Sequence, residues 1–223
     1  GIRSAVNGLA GAAAPIVAGV LAALAWQYAF ALFALALPAA AVVYVAYPEP
    51  DLERGDHETL LAELREYVDA IREVADGRFA TLVTGGFVSF FLKGGFKTFL
   101  PVFVVSGVGA TPAAAGTMLG VYGGVRVLGS PFAGALLARL GRRYTIVLGM
   151  GLSALGMAAV PFTGALPGLV GATAGYALGE SILSPVINDG VAALATGDQR
   201  AGIMSGLQTV KETGLTVAPV VMG

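Results

Sequence analysis

From Tyr144 to Gly179 the chain carries no charged residue. A water-soluble fold cannot withdraw so long a stretch from its polar surface. A bilayer can, because lipid solvates apolar side chains all round a helix. The rest of the sequence follows suit: its 223 residues are 56% hydrophobic and 12% charged, about half the ~25% charged residues usual in soluble domains. Composition therefore points to an integral membrane protein.

A span needs about 20 predominantly apolar residues to cross a hydrocarbon core of ~30 Å. Seven stretches qualify as candidates: Gly1–Ala25, Tyr28–Tyr47, Phe79–Val105, Pro112–Leu137, Tyr144–Phe162, Leu166–Ala195 and Ala201–Gly223. Their apolar runs are continuous and lack the two-residue alternation of a lipid-facing strand. The expected fold class is all-α integral membrane, a polytopic helix bundle with seven spans.

Orientation follows from the arginines. If the run "GALLARLGRR" (134–143) ends in the cytoplasm, alternation puts the connections at 48–78, 138–143 and 195–200 on that side. Eight arginines fall in those connections: Arg54, Arg65, Arg72, Arg78, Arg139, Arg142, Arg143 and Arg200. The opposite turns, near Trp26–Gln27, Ser106–Thr111 and Thr163–Ala165, hold no Lys or Arg. That is a positive-inside pattern, so the expected location is the cell membrane with those three connections cytoplasmic. Within 48–78, Leu60, Leu64, Tyr67, Val68, Ile71 and Val74 keep helical spacing with charge on the other face. An amphipathic helix along the inner rim is expected there.

Several chemistries are excluded. With no cysteine, one histidine (His57) and no Gly-x-Ser-x-Gly, the chain has no thiolate metal site and no nucleophile motif. "IVLGMGLSALG" places Gly149 and Gly151 like part of a dinucleotide fingerprint, but no ribose-binding acid follows about 20 residues on. No catalytic residue, cofactor or metal is expected. A net charge of −1 gives no ground for a nucleic-acid partner.

The informative residues are the charges inside spans, because ionisable groups at bilayer depth face a cavity or a partner. Counting ~1.5 Å per residue, Arg126, Glu180, Lys211 and Glu212 fall near mid-membrane. Lys93 fits either a pathway or a packing role, and Lys97 lies near the outer face, where it is expected to snorkel. Thr173, Tyr176, Ser184 and Asn188 share the helical face of Glu180. That stripe lines a cavity or holds Glu180 in an ion pair with Arg126 or Lys211. A substrate and proton pathway is expected at Glu180, Arg126, Lys93, Tyr176, Ser184, Asn188, Lys211 and Glu212. Asp189 falls on the opposite face, near the cytoplasmic end.

"APIVAG" (14–19) recurs as "APVVMG" (218–223) in the first and seventh spans. Both run outward, the relation expected of parallel repeats in a transporter.

These features together resemble the major facilitator superfamily. Gly134, Arg139, Gly141, Arg142 and Arg143 match its cytoplasmic loop motif, with Ala138 where the family most often has Asp. "GLAGAAAPIVAG" resembles the family's antiporter motif through Gly8, Gly11, Pro15 and Gly19, and Pro219 and Gly223 carry the echo. The resemblance implies a partial six-plus-six fold containing family helices five to eleven. Residues 1–47 would end one six-helix half, 48–78 would be the cytoplasmic linker, and 79–223 would begin the second half. It further implies a secondary transporter that moves a small molecule by alternating access as a monomer, with protons as co-partner and the lipid bilayer as surroundings. Proton-coupled efflux is the expected job; the alternative is uptake, or facilitated passage, of a sugar or organic anion.

Overall fold

The computed structural model describes residues 2–46, 76–194 and 199–223, and among them there is no strand. The amphipathic connection expected over 48–78 lies outside the described residues up to 75. So does most of the connection at 195–200.

Helix α1 (Ile2–Leu24) is followed by α2 (Trp26–Ala46) with only Ala25 between them. The outward turn expected at Trp26–Gln27 is therefore one residue long and lies just before them. Two backbone bonds close it, Ala25 N to Leu21 O at 2.9 Å and Tyr28 N to Ala25 O at 3.0 Å. Helix α3 (Gly77–Val102) starts where the Asp76 carboxylate accepts the Phe79 N–H at 2.7 Å, which satisfies one of the first-turn donors that a helix leaves unpaired. It runs into a π-helical turn at Phe103–Gly107. After Gly109 (φ 72°), the Thr111 hydroxyl accepts the Ala114 N–H at 3.2 Å and opens α4 (Pro112–Ala159). A short 3-10 turn (Val160–Phe162), α5 (Leu166–Ala192) and α6 (Gln199–Met222) complete the chain.

The loop expected at 138–143 is a single-residue break. Helix continues to Leu140 and resumes at Arg142, and only Gly141 leaves it, at φ 74° and ψ 166°. That backbone region is essentially closed to residues with a Cβ, which is why a glycine stands there. The break divides α4 into a first arm (112–140) and a second arm (142–159).

Each helix carries an interior proline: Pro15, Pro38, Pro101, Pro131, Pro185 and Pro219 in chain order. Such prolines cost soluble helices about 3 kcal/mol, but are tolerated in membrane helices whose neighbours re-satisfy the freed backbone groups.

Among the described residues, and by length and composition alone, two stretches are apolar enough to cross a membrane: Gly77–Gly107, and Pro112–Phe162 with its break. Ala10–Leu24 and Trp26–Val42 are shorter apolar stretches. Helices α5 and α6 have the length, but their polar residues and glycines dilute the apolar signal. The reason is positional, because α5 is the central helix and faces protein.

Helix α5 lies between the two arms of α4. Ser181 and Leu178 meet Gly129 of the first arm, while Leu183, Gly179 and Tyr176 meet Gly149, Ser153 and Gly156 of the second. This packing is what Gly149 of "IVLGMG" serves, whereas a Cβ on Gly151 would meet nothing within 4 Å. Helix α3 lies along α6, and α1 packs on the first arm of α4. Helix α2 rests on α1 and presents Phe30, Leu35 and Val45 outward; Leu128, Phe132 and Leu155 are exposed on α4. Apolar side chains on the outside and small residues at the contacts are the pattern expected where lipid gives helices no hydrophobic drive to associate.

Candidate substrate site

Three helices, α3, α4 and α5, meet at one carboxylate. Glu180 of α5 is 1% exposed. Its Oε2 accepts a hydrogen bond from the Tyr122 hydroxyl and lies 3.0 Å from Arg126 Nε. Its Oε1 lies 3.6 Å from Lys93 Nζ. Tyr122 and Arg126 stand one turn apart on α4 and so reach the same group; Lys93 comes from α3. A carboxylate this deep persists as an anion only with such partners.

A second buried cation sits on α6. Lys211 is 2% exposed and donates to Asn188 Oδ1, two turns beyond Glu180 on α5. The Lys211 and Lys93 ammoniums lie 5.2 and 4.3 Å from the centroid of the same ring, Phe90. Tyr122 plays a similar part: Arg126 Cζ is 5.6 Å from its centroid and Lys97 Nζ 5.7 Å. Cations within about 6 Å of an aromatic face gain from its quadrupole. Phe96, Tyr122 and Tyr176 pack together behind them, with Phe96 and Tyr176 centroids 4.3 Å apart. The hydroxyls of Tyr176 and Thr173 and the Oε1 atom of Glu180 are buried without a hydrogen-bond partner.

Of the two ion pairs expected for Glu180, the one with Arg126 is present, whereas Lys211 binds Asn188 instead. Lys93 joins Glu180. Ser184 is half-buried on the same face. Glu212 does not join the cluster. Although adjacent to Lys211, it is exposed on the other side of α6, accepting from Gln208 Nε2 at 2.6 Å in a groove with Ser205, Thr209 and Thr216. Lys97 is exposed, as snorkelling requires, yet its ammonium turns to the Tyr122 ring. Tyr122 is the residue that sequence reasoning missed; the available signal was its position four residues before Arg126.

At the arginine-rich motif, Arg142 Nη2 pairs with Asp189 Oδ2 at 2.8 Å, tying the break in α4 to the end of α5. Arg139, Arg143 and Gly134 are exposed. The glycine-proline motif splits in two. Pro15 and Gly19 touch α4, where a Cβ on Gly19 would lie 2.8 Å from Gly116 Cα and 3.0 Å from Pro112 O. A Cβ on Gly11 would meet nothing within 4 Å, although the Gly11 carbonyl faces Gly123. Gly8 lies in α1. In the echo, Gly223 N bonds Pro219 O at 3.1 Å, and Ala218 packs on Gly94 of α3.

Long apolar helices around a buried ionic cluster define a helical membrane protein. The family model described as Major Facilitator Superfamily matches residues 82–223, which contain every residue of the cluster. The chain belongs to the Major Facilitator Superfamily. It is accordingly a membrane protein of a family of secondary transporters rather than enzymes. No curated protein and no solved structure matches the chain.

Proposed function

We propose that this chain moves a small molecule across the cell membrane by alternating access, with transport coupled to protons at Glu180. The observation that carries the reading is Glu180 itself, buried and held by cations from two other helices, Lys93 of α3 and Arg126 of α4. Desolvation disfavours the charged carboxylate and a nearby cation favours it. A change in the distance of α3 from α5 therefore changes whether a proton resides there, and protonation in turn favours their separation. That reciprocity is what coupling requires.

In this reading the seven helical segments are spans, and the connections at 48–78, 138–143 and 195–200 face the cytoplasm. Residues 1–47 and 79–223 belong to two halves. The close approach of α1 to α4 through Pro15, Gly19 and Gly116 supports a contact between those halves. The carrier works as a monomer.

The test is accumulation in proteoliposomes. Glu180→Gln keeps shape and hydrogen bonding but cannot ionise. It should lose accumulation driven by a proton gradient and keep gradient-independent exchange. Accumulation equal to that of the parent would remove Glu180 from the coupling path.

The resemblance of α1 to an antiporter motif supports efflux. A second reading, uptake together with a proton, is favoured by the sign of the charge around Glu180.

A further inference from the structure

All three lysines of the chain, Lys93, Lys97 and Lys211, gather with Arg126 around the rings of Phe90 and Tyr122. Among the described residues, one carboxylate, Glu180, faces them. No acid occurs between Asp76 and Glu180, Asp189 is engaged by Arg142, and Glu212 is turned to the other side of α6. The cluster is thus short of negative charge while Glu180 is ionised, and shorter still once it is protonated. Buried cations require counter-charge. Lys211, 2% exposed, has a neutral amide as its hydrogen-bond acceptor. The Tyr176 hydroxyl, one turn from Glu180 and 1% exposed, is a buried donor with no acceptor. An unpaired buried donor is destabilising, and an entering acceptor would relieve it. Arg126 is the most accessible of the cations on Glu180, its side chain 31% exposed, and an ionisable group at bilayer depth faces a cavity or a partner rather than lipid.

From this imbalance we infer that the substrate is a small organic anion, a carboxylate whose charged end takes the place of Glu180 among Lys93, Arg126 and Lys211. The inference rests on the transporter reading and deepens it. Substrate carboxylate and Glu180 compete for the same cations. Protonating Glu180 releases them, so the anion and the proton bind together instead of displacing one another. Two ligands that bind together are carried in the same direction, which makes the protein a proton–anion symporter. A cationic substrate would instead compete with the proton and be exchanged for it.

Thermal unfolding of the purified protein in detergent tests the substrate class, with benzoate, succinate, benzyl alcohol and benzylamine as probes at neutral and mildly acidic pH. Benzoate, succinate or both should raise the unfolding temperature, more so at acidic pH, whereas the alcohol and the amine should not. Lys211→Met should weaken the carboxylate effect about tenfold, ~1.4 kcal/mol, and Lys211→Arg should restore it. Stabilisation by benzylamine alone, by neither carboxylate, or to the same extent in Lys211→Met would overturn the anion site. Carboxylate binding that ignores pH would overturn the shared direction. The two readings fail separately. Carboxylate binding with normal accumulation by Glu180→Gln removes the proton role and leaves the anion site. Benzylamine binding with accumulation lost in Glu180→Gln does the reverse.

Discussion

Adding one methyl group to Gly19 probes the contact of α1 with α4 more sharply than any charge reversal. The new Cβ would stand 2.8 Å from Gly116 Cα, 3.0 Å from Pro112 O and 3.2 Å from Gly116 N. Carbon atoms rest at about 3.5–4.0 Å. All three neighbours are backbone, so no side chain can turn aside and the helices must part locally by up to about 1 Å. Overpacking of this kind costs about 1–3 kcal/mol. Gly11→Ala supplies the control, since it makes the same substitution in the same helix where a Cβ meets nothing within 4 Å. Both variants gain the helix propensity of alanine over glycine, about 1 kcal/mol, so their difference isolates the contact. Thermal unfolding at a fixed scan rate reads it, at roughly 2–4 °C per kcal/mol for a chain of this size. Gly11→Ala should match or exceed the parent and Gly19→Ala should fall below Gly11→Ala by about 1–3 kcal/mol. Equal unfolding temperatures for the two variants would refute the close approach.

Gly141→Ala forces a side chain into a conformation with φ 74° and ψ 166° and should destabilise by about 1–3 kcal/mol, while Gly134→Ala, helical and facing open space, should match or exceed the parent in the same melt. The Arg142–Asp189 pair is 41% and 58% exposed, so Asp189→Asn should change stability by less than about 1 kcal/mol; a larger loss would mean the pair is shielded from water. The chain has no cysteine, so Ser106→Cys and Ala138→Cys can each be labelled alone in intact cells. Reagent applied outside should reach only Ser106→Cys, and reaction of both would end the proposed orientation.

Helix content and the two longest apolar segments were legible because lipid-facing residues obey a composition rule that needs no knowledge of neighbours. The ionic cluster was legible in part. Spacing alone put Tyr176, Glu180, Ser184 and Asn188 on one face, and depth counting set Arg126 level with Glu180. Which cation meets which acceptor was not legible, because it depends on how α3, α4 and α6 rotate about α5. Hence Lys211, a candidate partner for Glu180 by depth, meets Asn188 instead, and Glu212 lies away from Lys211 because adjacent residues on a helix point about 100° apart. Tyr122 escaped notice because a tyrosine in an apolar run looks like packing until a carboxylate is known to face it. The break at Gly141 looked like a loop because glycine with two arginines is loop-like in composition, while the helix on either side needs only one residue to turn.

That one-residue turn bears on the stiffness of the site. A loop of several residues between the arms of α4 would absorb a displacement in its own dihedrals. Gly141 offers one pair, and α5 is clamped on both flanks, by Gly129 on one arm and by Gly149 and Gly156 on the other. Hairpin and clamped helix therefore form a wedge without slack. Arg126 and Glu180 belong to that wedge, so backbone contact sets their spacing. Lys93 arrives from α3, outside the wedge. Of the two cations on Glu180, one is a fixed reference and the other, on Lys93, is the one whose distance a relative movement of helices can change.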